Sequence, residues 1–250
     1  MTRGTDMEQT RSDLKMSGAG SVGGGVFRNV VISGTGNVSG DIDCVSFTSS
    51  GVSNVSGSLK AEQVRISGTS RVDGKVDAGE VVVSGASEFG GGVHAKKFTV
   101  SGASTVRGNV NAEDVGLRGG LKVSGDCEAE RFDAKGGFSI DGLLSAQSIE
   151  IRLYAQCTAR EIGGGKVSVR EDTSGWKRFV QDLGLLPERL LRAESIEADD
   201  VYLESTSAKV VRGGTVRLGP KCEIDLVEYT GEYVADPSAK VTASRKVEAS

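Results

Sequence analysis

The stretch Gly18–Gly23, GAGSVG, carries the G-x-G-x-x-G spacing with which backbone N–H groups hold a dinucleotide pyrophosphate. That chemistry requires a strand before the glycines and a helix after them, so that helix-terminal amides meet the phosphates. RSDLKMS precedes and GGVFRNVVIS follows. Neither fits, so the segment reads as part of a polar tail. GGGKVS, Gly163–Ser168, looks like a phosphate loop only superficially, because its lysine follows the first glycine too closely and strand-like text comes next. It reads as a turn between repeating units. His94 is the one histidine, and Ser33, Ser50, Ser67, Ser84 and Ser101 could act as nucleophiles, but no base recurs at a position matching the serines. Serine beside glycine is ordinary turn chemistry. The carboxylates, such as Asp73 and Asp141, Glu113 and Glu130, or Glu80 and Asp114, are scattered and not gathered as glycan cleavage needs.

The cysteines Cys44, Cys127, Cys157 and Cys222 have the spacing of neither a zinc site nor a disulfide framework. They read as small buried hydrophobes in a reducing compartment. Taken together, these residues predict a protein that is not an enzyme, with no catalytic residue, no cofactor and no metal. The formal charge of −4, with acids and bases interleaved, offers no field that would gather phosphates, so nucleic acid is not an expected partner. No run of about 18 apolar residues and no signal-peptide core stands in the chain, which predicts no transmembrane segment and a cytoplasmic location.

The elements that position these residues emerge when the sequence is laid over itself at a period of 17. Gly34, Gly51, Gly68, Gly85, Gly102, Gly119 and Gly136 form one column, and Gly40, Gly57, Gly74, Gly91, Gly108, Gly125 and Gly142 form another. Apolar columns keep the same register: Val38, Val55, Val72, Phe89, Val106, Val123, Ile140 and Cys157; Ile42, Leu59, Val76, Val93, Val110, Cys127 and Leu144; then the alanines Ala61, Ala78, Ala95, Ala112, Ala129 and Ala146. Two further columns pass through Val81 and Val83. Spacings of two place alternate side chains inward on strands, with turns at the glycines. The expected fold is all-β: a parallel β-helix of 17-residue coils, each with three short strands. Hexapeptide-repeat coils put an aliphatic residue at every sixth position, and the 17-residue period breaks that rhythm.

The periodicity divides the chain. Residues 1–25 are expected to be a flexible N-terminal tail, 26–170 the main coils, 171–193 a short α-helical insertion, 194–241 C-terminal coils and 242–250 a second flexible tail. In the insertion Trp176, Phe179, Val180 and Leu183 recur at helical spacing, Gly184 breaks the turn and Pro187 can start a second helix. Its apolar face, with Trp176, Phe179, Leu183 and Arg189, either packs on the solenoid or contacts a partner or membrane surface.

The strings ISGTGNVSGDID, VSGASTVRGNVNAEDV and VSGDCEAERFDA resemble the bactofilins, bacterial polymer-forming cytoskeletal proteins, over about residues 28–160. The stretch ESIEADDVYLESTSAKVVRGGTVRLGPKCEIDLVEYTG resembles the carboxy-terminal part of their longer Gram-positive relatives. The resemblance implies a right-handed β-helix that polymerises end to end without nucleotide. It also implies a non-enzymatic scaffold for envelope, shape or motility machinery, with envelope-associated proteins and peripheral membrane contact as possible partners. A physical reason for self-assembly stands beside it, since terminal coils expose strand edges and a cross-section of the core. Val30, Ile32, Val38 and Ile42 at one end, and Ile224, Leu226, Val227 and Val234 at the other, are the expected contact residues. The alternative is a non-polymerising β-solenoid that binds a protein or glycan.

Overall fold

The computed structural model describes residues 11–171 and 190–248. These form a parallel β-solenoid of about 13 turns. The coil beginning at Thr69 shows how it is built. Strand Thr69–Val72 makes the first side, and strand Val76–Val83 makes the next two. Inward positions alternate as Val76 and Ala78, then skip to Val81 and Val83, so the longer strand turns a corner at Gly79–Glu80 without losing its hydrogen-bonded ladder. The coil therefore has three sides but two continuous strands, where three short ones were expected. Each residue stacks on its counterpart 17 positions on, as Thr69 on Ala86 and Val76 on Val93. This repeated superposition turns a sequence column into a physical ladder, with valines, isoleucines and phenylalanines forming one buried core along the axis.

The first glycine column owes its composition to sterics. A Cβ at Gly51, Gly68, Gly85, Gly102 or Gly119 would run into the carbonyl oxygen of the column glycine one coil below. Those carbonyls accept hydrogen bonds from the following coil, as Thr69 N–H donates to Gly51 O at 2.9 Å and Ala86 N–H to Gly68 O at 2.9 Å. Of the two glycine columns only Gly40, at φ 102°, needs the left-handed freedom of glycine.

One inward column escapes the apolar pattern. Ser53, Ser70, Ser87 and Ser104 are buried, and they bond in pairs: Ser53 Oγ donates to Ser70 Oγ and Ser87 Oγ to Ser104 Oγ, each at 2.8 Å. Pairing removes the penalty of burying a hydroxyl. Later coils fill the same column with Leu121, Phe138 and Cys157. Cys157 thus stacks on Phe138 and not on Ile140, because this coil is longer than 17 and shifts the register. The spacing falls to 15 where Leu191 stacks under Thr206 and to 16 where Ser207 stacks under Glu223.

The expected tail boundaries move. Strands Ser12–Met16 and Ala19–Ile32 occupy part of the region read as a flexible tail, and Ser12–Met16 stacks on Phe27–Ile32. Small residues such as Ala19, Gly20 and Ser21 pair in parallel with Thr35, Gly36 and Asn37, so backbone hydrogen bonding suffices where periodicity fades. At the other end Lys240–Lys246 is a strand on Glu223–Tyr229, in place of a tail from residue 242. The helical reading of 171–193, with Trp176, Phe179, Leu183 and Arg189, falls mainly outside the described residues. Its edges are strand: Glu171 ends one, and Leu191, Arg192 and Ala193 begin another, with Leu191 stacked on Cys157. Among the described residues there is no helix and none long and apolar enough to cross a membrane.

Candidate functional site: a groove along one corner

A groove of about 820 Å³ runs along the corner formed by the alanine column. Ala61, Ala78, Ala95, Ala112 and Ala129 line its floor. Because alternate strand residues point to opposite faces, the residues on either side of each alanine form its two rims. One rim is Asp43, Lys60, Asp77, His94, Asn111 and Glu128; the other is Glu62, Gly79, Lys96, Glu113 and Glu130. His94 is exposed and stacks between Asp77 and Asn111.

Charges on other faces of these coils pair with each other. Arg71 donates to Asp73 at 2.7 Å and to Glu88 at 3.3 Å, Arg107 Nε donates to Glu88 at 2.8 Å, and Arg131 Nε donates to Asp114 at 2.7 Å. In the groove Arg11 pairs with Asp43 at 3.2 Å. Lys60, Glu62, Asp77, His94, Lys96, Glu113, Glu128 and Glu130 make no side-chain hydrogen bond or ion pair among the described residues.

The same columns continue into a second hollow of about 760 Å³ floored by Gly164, Ala198 and Gly213. There the rim is joined in a ladder. Arg212 bridges Glu197 at 3.7 Å and Glu228 at 2.6 Å, and Arg245 Nε donates to the other oxygen of Glu228 at 2.8 Å. Those hydrogen bonds, from Arg245 first and then Arg212, hold the Glu228 carboxyl below its ordinary range. Lys240 does the same for Glu223, and Lys209 for Glu194.

A separate polar knot pins the chain beside Glu171. Tyr202 Oη donates to Glu204 at 2.5 Å, the Glu171 N–H donates to Glu204 at 2.7 Å, and Lys221 Nζ reaches Glu171 at 3.1 Å. Arg170 lies over the Tyr202 ring, 4.6 Å from its centroid. Turns here are made by Ser205 at φ 46° and Lys221 at φ 60° in place of stacked glycines.

The residues read as an assembly contact are mostly interior. Val30, Ile32, Val38 and Ile42 are buried beneath the N-terminal strands, and Ile224 and Val227 beneath Lys240–Lys246. Leu226 is half-buried and Val234 is 51% exposed. Leu14, Met16 and Val22 occupy inward columns in the first described rungs, while the last rung puts Ser244 over Val227 and Lys246 over Tyr229. The predicted serine column stands beside the turns: Ser33, Ser50, Ser67, Ser84 and Ser101 are all exposed. All four cysteines are buried; desolvation pushes the Cys127 and Cys157 thiols up to about 12 and those of Cys44 and Cys222 up to about 11. They are protonated at neutral pH and poor nucleophiles. Among the described residues no cluster of three His, Cys, Asp or Glu could hold a metal ion.

Sequence reasoning found the alanine column and the alternating surface residues but not the groove. Only the corner at Gly79 makes residues on either side of an alanine the rims of one hollow.

Fold and groove define a parallel β-solenoid repeat protein with a charged furrow along its axis. Among curated proteins, the chain is 43% identical over 106 residues to the uncharacterized protein YhbE of Bacillus subtilis (strain 168), covering 42% of this chain and 43% of that one. It is 34% identical over 106 residues to the uncharacterized protein YhbF of the same organism, covering 42% of each. Each match thus spans less than half of the relative's length. No protein-family model matches the chain, and no solved structure does.

Proposed function

We propose that this chain is a bactofilin-like scaffold: a right-handed, non-enzymatic β-helix that joins end to end into nucleotide-independent filaments and organises envelope, shape or motility machinery in the cytoplasm. The observation that carries the reading is the uninterrupted parallel stacking from Ser12 to Glu171 and again from Leu191 to Lys246, each coil templating the next. A strand stacked on one side only offers unpaired N–H and C=O groups to another chain. Leu14 and Met16 add apolar area at the first described rung.

The test is negative-stain microscopy and light scattering of the purified chain without nucleotide. Filaments are expected, and Met16→Asp should abolish them with the circular dichroism spectrum retained. Val38→Asp or Ile224→Asp would strike the core instead, and so report on folding. A chain that stays monomeric at high concentration overturns the proposal. The groove favours the second reading, a solenoid that binds a partner without polymerising.

A further inference from the structure

We propose that the groove between Asp43 and Glu130 is a binding site for an extended, lysine- or arginine-bearing polypeptide segment running along the solenoid axis. The groove spans six coils, from Cys44 to Ala129. At about 4.8 Å per coil its floor is roughly 24 Å long, the length of about seven extended residues at ~3.3 Å each. The alanine side chains turn into the core, so the floor between the two rims is backbone, which a bound extended chain can approach closely. Six acids line it, Asp43, Glu62, Asp77, Glu113, Glu128 and Glu130, against the bases Arg11, Lys60 and Lys96, a net of −3 from a chain whose total is −4. Three of the carboxylates, Glu113, Glu128 and Glu130, gather at one end, with Lys96 one coil below Glu113 as the one base beside them among the groove residues.

The molecule contains its own comparison. Along the same columns, Glu197, Arg212, Glu228 and Arg245 are neutralised by one another. In the groove Lys60, Asp77, Glu113, Glu128 and Glu130 make no side-chain hydrogen bond or ion pair among the described residues, although Lys60 stacks on Asp77 from one coil to the next just as the paired ones stack. Side chains left unpaired over a floor of small residues supply charge complementarity to a cationic strand, and spacing one coil apart suits a ligand that lies along the axis. The carboxylate end sets the direction of recognition, with basic residues of the ligand placed over Glu113, Glu128 and Glu130.

This inference goes beyond the scaffold reading and does not depend on end-to-end assembly. It is tested with the full chain and a fluorescein-labelled, alternating Lys-Ala peptide of about eight residues, read by fluorescence polarisation at low salt. Wild-type protein should bind it and should not bind the matching Glu-Ala peptide. The isosteric exchanges Glu113→Gln, Glu128→Gln and Glu130→Gln together should weaken binding about tenfold, at a few tenths to one kcal/mol for each exposed pair. Each single exchange, expected to weaken it about twofold to threefold, keeps the test readable if the triple variant fails to fold. Glu150→Gln, an exposed carboxylate outside the groove, should change nothing. Failure to bind either peptide, equal binding of both, or an equal loss in Glu150→Gln overturns the proposal. Binding by protein that light scattering shows to be monomeric would uphold the groove and sink the filament reading, so the two fail separately.

Discussion

Lys60, Asp77 and His94 stand along the alanine floor without partners among the described residues, whereas Arg212, Glu228 and Arg245, farther along the same columns, are tied to one another. Both regions use one corner and one kind of floor. They differ in how the repeat is kept: the first stacks at a constant 17 residues with glycine turns, and the second at varying spacing, from 15 between Ala198 and Gly213 to 34 between Gly164 and Ala198, with left-handed Ser205 and Lys221. Ion pairs join adjacent coils in the first region too, as Arg71 with Glu88 and Arg131 with Asp114, but on other faces than the corner. In the second region the corner itself carries the pairs, Arg212 and Arg245 meeting on Glu228.

The largest expected effect tests the rigid half. Gly85→Ala should destabilise the protein by about 1–3 kcal/mol, read as a lower urea midpoint, because the new Cβ meets the backbone of the coil below. Gly120→Ala is the control, since a Cβ there meets nothing within 4 Å. Next, Glu228→Ala should strip Arg212 and Arg245 of their shared partner and speed amide exchange in Glu223–Lys246, while Glu113→Ala leaves exchange in its coils unchanged. Equal protection in both variants would erase the contrast between the two halves.

Ser49→Val should stabilise by roughly 1 kcal/mol in thermal unfolding, because the buried Ser49 hydroxyl has no partner in a column continued by Ile66 and Val83. The smallest effect expected is that of acid. Glu194, Glu223 and Glu228 are held below their ordinary value of 4.5, so their contribution is present above that value and is lost as pH falls through the lowered ones. Amide exchange corrected for its intrinsic pH dependence should loosen first in the C-terminal coils below about pH 4.5. Uniform loosening along the solenoid would contradict the ladder's role.

The fold class was legible because a period of 17 survives in every residue type that matters for a coil: glycine, alanine, β-branched and aromatic. The inward positions of Val76, Ala78, Val81 and Val83 follow from spacing alone. The serines Ser53, Ser70, Ser87 and Ser104 were missed as core, since a hydroxyl signals water unless its stacked partner is known. Cys157 was misplaced by one ladder because text of constant period cannot reveal a coil of altered length. The first strands were read as a tail because their pairing rests on backbone hydrogen bonds, which leave no apolar mark.

The sequence by itself determined the repeat and the alternation of inward and outward residues, because these are local properties repeated in register. The tertiary structure alone decided that Asp77 and Gly79 border the same groove and that Arg212 reaches Glu228, whereas neither Lys60 nor Asp77 has a partner among the described residues. Those relations depend on where a strand bends and on how far one coil is shifted over the next. A column of letters records which residues are stacked, but pairing is a matter of ångströms between side chains, and only the folded coil sets that distance.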